Sequence, residues 1–158
     1  MSDSDFTLLP PWRNAARDLF NGKYTYGDVV PHEELQEALG LPKPVGKVEV
    51  EEYERWRLSV LSQMDALSAF LLEERSMCLR AVPGVGYQIV EPENQTAYAM
   101  KDGMRRVRGE LRKMGRRLSH VNRSALTAEQ ARENADAMAR LAFLSQQTNK
   151  VRRLRFTD

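Results

Sequence analysis

Large apolar side chains recur at alternating steps of three and four from Tyr53 onward, at Trp56, Val60, Met64, Leu67 and Leu71. That spacing puts six large groups on one side of a single helix. The helix is expected to stop near Glu74-Arg75-Ser76. Two short β-type runs follow at 77–82 and 87–90, joined by Pro83-Gly84-Val85-Gly86. Proline presets φ and glycine accepts φ > 0, so the pattern predicts a β-hairpin. The helix face opposite the large stripe reads Arg55, Ser59, Ser62, Ala66 and Ala69. Small residues at helical spacing admit a second helix, so the later half of this helix is expected to be buried on both sides.

Upstream, Pro10-Pro11 opens a short helix over 12–20 whose Trp12, Ala16, Leu19 and Phe20 share an inward face. Asn21-Gly22 ends it. Residues 23–30 are aromatic and β-branched and read as a strand or extended segment. Pro31 opens a second helix, 32–39, with Leu35, Ala38 and Leu39 inward, and Gly40 closes it. Residues 41–47 hold two prolines and form a helix-refusing connection, longer than a usual helix-turn-helix turn.

Downstream, Pro92 starts the most regular stretch. Met100, Met104, Val107, Leu111, Met114, Leu118 and Val121 make a three-heptad apolar seam, the pattern of a helix that pairs with another. Gly103 and Gly109 each weaken an isolated helix by about 1 kcal/mol relative to alanine, so packing must supply the rest. Residues 122–125 read as a turn. Thr127 with Gln130 forms a capping box that fixes the next helix start. Ala131, Ala135, Met138, Leu141, Ala142, Phe143 and Leu144 supply its apolar surface. The fold class is therefore mainly α with a small β-hairpin (α+β). Its expected organisation is a loose leader over 1–9, a first domain over 10–92, and an antiparallel helical hairpin with a basic tail over 93–158.

Charge adds an asymmetry to this plan. The 158 residues carry a net +2, but residues 1–75 hold 8 Lys+Arg against 14 Asp+Glu, whereas 76–158 hold 16 against 8. The seam helix contributes much of the excess: Lys101, Arg105, Arg106, Arg108, Arg112, Lys113, Arg116, Arg117 and Arg123 stand against Asp102 and Glu110 only. Such a face suits a polyanion or an acidic partner. No aromatic residue is interleaved, so stacking on single strands is not suggested. The single cysteine excludes an internal disulfide and points to a reducing, cytoplasmic setting. Residues 1–5 lack a signal-peptide pattern, and no apolar run approaches the ~20 residues of a membrane span.

Catalytic patterns are missing. His32, His120 and Cys78 fall in different elements without zinc-site spacing. Gly84-Val85-Gly86 lacks the third glycine and the following helix of a dinucleotide loop. No cofactor and no enzymatic activity are expected.

The run Arg80-Ala81-Val82-Pro83-Gly84-Val85-Gly86-Tyr87-Gln88-Ile89-Val90 after a long helix resembles the recognition helix and wing of a winged helix-turn-helix domain. It is most similar to the effector domains of bacterial response regulators. The resemblance covers about residues 12–92, and the chain as a whole resembles small phage or prophage proteins. It implies a small regulatory protein that binds double-stranded DNA. The candidate contacts are Arg55 and Arg57 on the long helix, Arg80 and Gln88 in the wing, Arg105, Arg108, Arg112, Lys113, Arg116 and Arg117 on the seam helix, and Arg152 and Arg153 in the tail. On the long helix, Ser59, Ser62 and Gln63 could also face a groove, whereas Glu49, Glu51, Glu52 and Glu54 at its entrance repel phosphate. A second reading is an inhibitor or adaptor whose basic hairpin docks on an acidic protein surface. A third is a structural subunit whose seam assembles copies, which places a homodimer among the candidate partners.

Overall fold

The computed structural model describes residues 10–153, with the side chains of Arg152 and Arg153 outside that description. The expected leader and the end of the basic tail also lie outside the described residues. The chain falls into two compact units, Met1–Gln95 and Thr96–Asp158.

In the first unit, helix α1 (Pro11–Leu19) carries proline in its first turn, where a missing N–H costs nothing. It buries Ala15, Ala16 and Leu19, with Phe20 just beyond. It packs on α2 (His32–Ala38) and on α3 (Val50–Arg75). α3 ends at Ser76, whose left-handed φ of 54° turns the chain while the Met77 N–H donates to the Leu71 carbonyl at 2.9 Å. The stop falls where the sequence puts it. Strands β2 (Leu79–Val82) and β3 (Gly86–Ile89) then pair across a turn in which Gly84 takes φ +74°.

The hairpin is not alone. Strand β1 (Val29–Pro31) pairs antiparallel with β3, in register Val29 to Gln88 and Val30 to Tyr87, giving the order β1-β3-β2. The fold is mainly helical with a small three-stranded antiparallel sheet. A lone hairpin is marginal in water, and the added strand gives the sheet a face to pack. Gly86 makes the pairing possible: a Cβ there would lie 1.9 Å from the Val30 carbonyl oxygen. Phe20, Val30, Leu35, Leu39, Leu67, Leu71 and Ile89 are fully buried around this centre. Each such burial contributes about 1.5–3 kcal/mol before entropy is counted.

Two expectations for α3 change. Its small-residue face is not covered: Ser62 and Ala69 are exposed and Ala66 is half-buried. Tyr53, first in the apolar stripe, is exposed as well. The core lies along one side of α3 from Met64 to Leu71, and the outer turns run past it.

In the second unit, α4 (Pro92–Ser119, starting just before the boundary) leads through a single 3-10 turn (Arg123–Ala125) into α5 (Ala128–Arg153). The capping box forms as read: the Gln130 N–H donates to Thr127 Oγ1 at 3.2 Å and the Thr127 N–H to Gln130 Oε1 at 3.0 Å. Arg108 lies alongside Thr148 and Asn149, and Leu118 alongside Glu133 and Ala137, so the two helices run antiparallel. Leu141 nests against Gly115, where a Cβ would stand 3.2 Å from Leu141 Cδ2.

The seam is less closed than its periodicity suggests. Among the described residues of this unit only Leu141 is a buried hydrophobic, while Val107 and Met114 remain 44% and 49% exposed and Phe143 and Leu144 60% and 51%. Two helices meet along one line, and an apolar stripe wider than that line leaves its flanks outside. No helix among the described residues is long and apolar enough to cross a membrane.

Candidate nucleic-acid interface

The long helix and the hairpin after it are the elements the sequence offered for a groove. α3 is held from behind by contacts its own sequence does not announce. The Trp56 Nε1–H donates to the Leu41 carbonyl at 3.0 Å, anchoring α3 to the proline-containing connection. The Trp12 N–H donates to Gln63 Oε1 at 3.3 Å, and the Arg75 guanidinium to the Phe20 carbonyl at 2.8 Å. Gln63 is thereby committed to α1 and half-buried, which removes it from the groove-facing set.

Arg55 and Arg57 are both exposed. Two positions apart, they point about 200° from each other around the helix, so one flat ligand cannot take both. The outward surface on the Arg55 side continues through Ser59 and Ser62, also exposed. The Ser59 hydroxyl donates to the Arg55 carbonyl at 3.0 Å, and a hydroxyl keeps acceptor capacity after one donation.

In the hairpin, Arg80 and Gln88 face one another across β2 and β3, and the guanidinium donates to Gln88 Oε1. The Gln88 amide also donates to the Gly27 carbonyl at 3.3 Å. Gln88 is thus half-buried and engaged, and it braces Arg80, which stays exposed. The hairpin tip carries Val85 in the open, while the His32 N–H donates to its carbonyl at 3.1 Å. His32 and Tyr87 meet edge to face at 5.5 Å. Burial, and then the Asp65 carboxylate, pushes the Tyr87 hydroxyl above its ordinary pKa. Tyr87 is held as a neutral packing group.

The basic residues of α4 divide into three kinds. Arg105 and Arg106 both bond Asp102, the second at 2.8 Å, and Lys113 bonds Glu110 at 2.7 Å. The Glu110 carboxyl is held below its usual range, first by the hydrogen bond from Lys113. Arg108 departs from the expected outward face. It is half-buried in the groove with Leu111 and Met138, and its Nη1 is shut from solvent with no hydrogen-bond partner. Arg112, Arg116 and Arg117 are exposed and carry no salt bridge among those found in the described residues. With Lys101 they are the exposed α4 cations outside those bridges, and Arg117 also acts on the Glu110 carboxylate. His120 sits at the end of the same helix with Nδ1 2.8 Å from the Arg116 carbonyl, a capping position.

Sequence reading missed two features. Leu58 and Leu61 lie off the apolar stripe and are 66% and 46% exposed on α3, beside the serines. Their being out of phase with Trp56 and Val60 was the available signal. Glu34 accepts from both Lys23 Nζ and the Tyr24 hydroxyl, tying the segment before β1 to α2. These bonds lower the Glu34 carboxyl, Lys23 first and Tyr24 second, and the same carboxylate raises Tyr24. The spacing of ten to eleven residues gave no local pattern to recognise.

No family model matches the chain, and neither the curated proteins nor the solved structures give a match. The site therefore stands on its own chemistry. Among the described residues no group of three or more His, Cys, Asp and Glu side chains is gathered to hold a metal. What the arrangement offers is a helix whose exposed side carries Arg55, Ser59 and Ser62 beside Leu58 and Leu61, an arginine braced in a hairpin, and, on α4, three exposed arginines outside the salt bridges of that helix.

Proposed function

We propose that the chain is a small DNA-binding regulatory protein whose first unit acts as a winged helix-turn-helix. The observation that carries this reading is the order of elements, α1-β1-α2-α3-β2-β3, with α3 leading directly into the hairpin and β1 closing the sheet. In this reading α3 offers Arg55, Ser59 and Ser62 to a groove and Arg80 in the wing takes backbone phosphate. Arg112, Arg116 and Arg117 supply sequence-independent attraction. Placement in the cytoplasm and the absence of catalysis belong to the same proposal.

The test is fluorescence anisotropy with random duplex DNA at two salt concentrations. Each phosphate neutralised adds about 0.9 to the slope of log affinity against log salt. Replacing Arg112, Arg116 and Arg117 with glutamate should lower both affinity and slope. Affinity unchanged by those replacements, or no binding at low salt, overturns the reading.

Leu58 and Leu61 favour a second reading. Exposed leucines on the helix that would enter a groove, with Glu49, Glu51, Glu52 and Glu54 at its start, suit a protein surface better than phosphate. In that case the chain is an inhibitor or adaptor, of the kind small phage or bacterial proteins provide, and the basic α4 docks on an acidic partner.

A further inference from the structure

We infer that one flank of the helical hairpin is where a second copy of this chain docks, α5 against α5 in the antiparallel sense. The flank is a groove of about 420 Å³ lined by Met114, Leu118, Glu133, Ala137, Arg140 and Leu144. The inference goes beyond the functional reading and does not depend on what the chain binds.

Three observations point to a copy rather than to an unrelated partner. The hairpin is under-buried, with Leu141 its one buried hydrophobic among the described residues and half of Met114 and Leu144 open to solvent. Helices in proteins gain most of their stability from packing an apolar face, and Met114 and Leu144 leave much of this one exposed. The charges on the flank are self-complementary. Glu133 and Arg140 are seven residues apart, about 10 Å along one face of α5, with the small Ala137 between them. A copy running antiparallel sets each Glu133 against the Arg140 of the other, twice over, as an isologous two-fold contact requires. A parallel copy would set glutamate against glutamate. Neither residue makes a salt bridge within the chain among those found in the described residues. Asp136, in the same groove, faces the small Ala137 of the copy in this register.

The opposite flank discriminates. Its groove carries Arg108 and Arg112 with no acidic residue, so a two-fold copy docking there would oppose like charges. Of these two grooves, the Glu133–Arg140 flank is the one whose charges oppose in sign across a two-fold axis.

Sedimentation equilibrium of the full chain tests this over a range of concentrations. The wild type should reach the mass of two 18.1 kDa chains. Glu133→Arg and Arg140→Glu should each weaken the dimer about tenfold, since each replaces two attractions by two repulsions. The double variant, E133R with R140E, should restore it, because the swapped pair is again complementary. Restoration also answers any objection that a single variant simply misfolds. A wild type that stays monomeric, single variants that dimerise as tightly as wild type, or a double variant no tighter than the singles would each overturn the proposal.

Discussion

The two units draw on similar apolar periodicity and use it differently. The first gathers helices α1, α2 and α3 and a sheet around a common core, and twelve of its hydrophobic residues are buried among those described. The second lays two long helices side by side and, among the described residues, buries one hydrophobic residue, Leu141. Geometry accounts for much of the difference. Elements converging from several directions enclose each other's side chains, whereas a pair of helices encloses only its line of contact. A heptad pattern states which residues share a face, and the number of neighbours decides how much of that face is dry.

That contrast can be broken most forcefully at Leu67. Truncating it to alanine removes atoms with no solvent exposure, and a loss of about 2–5 kcal/mol is expected. Both tryptophans, Trp12 and Trp56, belong to the first unit, so urea unfolding followed by their fluorescence reads the effect there. A loss below about 1 kcal/mol would mean this core is looser than its burial suggests. In the second unit the corresponding lever is local. Thr127→Ala removes the acceptor for the Gln130 N–H and should cost about 1 kcal/mol. It should appear in the far-ultraviolet circular dichroism melt, with the tryptophan transition little moved.

The smallest effect sharpens the comparison through pH. Glu34 is lowered by its bonds to Lys23 and Tyr24, so its ionised form is favoured on folding. The sign follows: a depressed carboxyl stabilises above its unfolded pKa of about 4.3, and the contribution is lost as pH falls through the lower folded value. Glu34→Gln should flatten that part of the acid-denaturation curve of the first unit. An identical curve would show that the contact is too exposed to matter.

How much was legible depended on how far apart the partners stand. The end of α3 at Ser76, the glycine turn at Gly84 and the Thr127–Gln130 box are written in neighbouring residues and were read correctly. Residues 23–30 announced an extended segment, but three residues of strand could not announce a partner near Tyr87. Gln63 and Gln88 looked available because amides are usually exposed, and only the approach of Trp12 and Gly27 from distant positions engages them. Arg108 stands among charged neighbours in the sequence. Its turn of the helix faces α5 instead, which charge alone does not reveal. The open flanks of α4 and α5 lay beyond the sequence for another reason: periodicity marks a face without saying what lies against it.

The pairing of β1 with β3 carries a consequence for the time course of folding. β2 and β3 are joined by a tight turn and can zip locally in microseconds. Val30 meets Tyr87 only after the intervening residues 31–86, α2 and α3 included, have been drawn into a loop. Contacts across long separations carry their closure entropy first and are rewarded later. Within the sheet, β1 is therefore the strand expected to join last, and it lies against Gly86, where a side chain would strike the Val30 carbonyl.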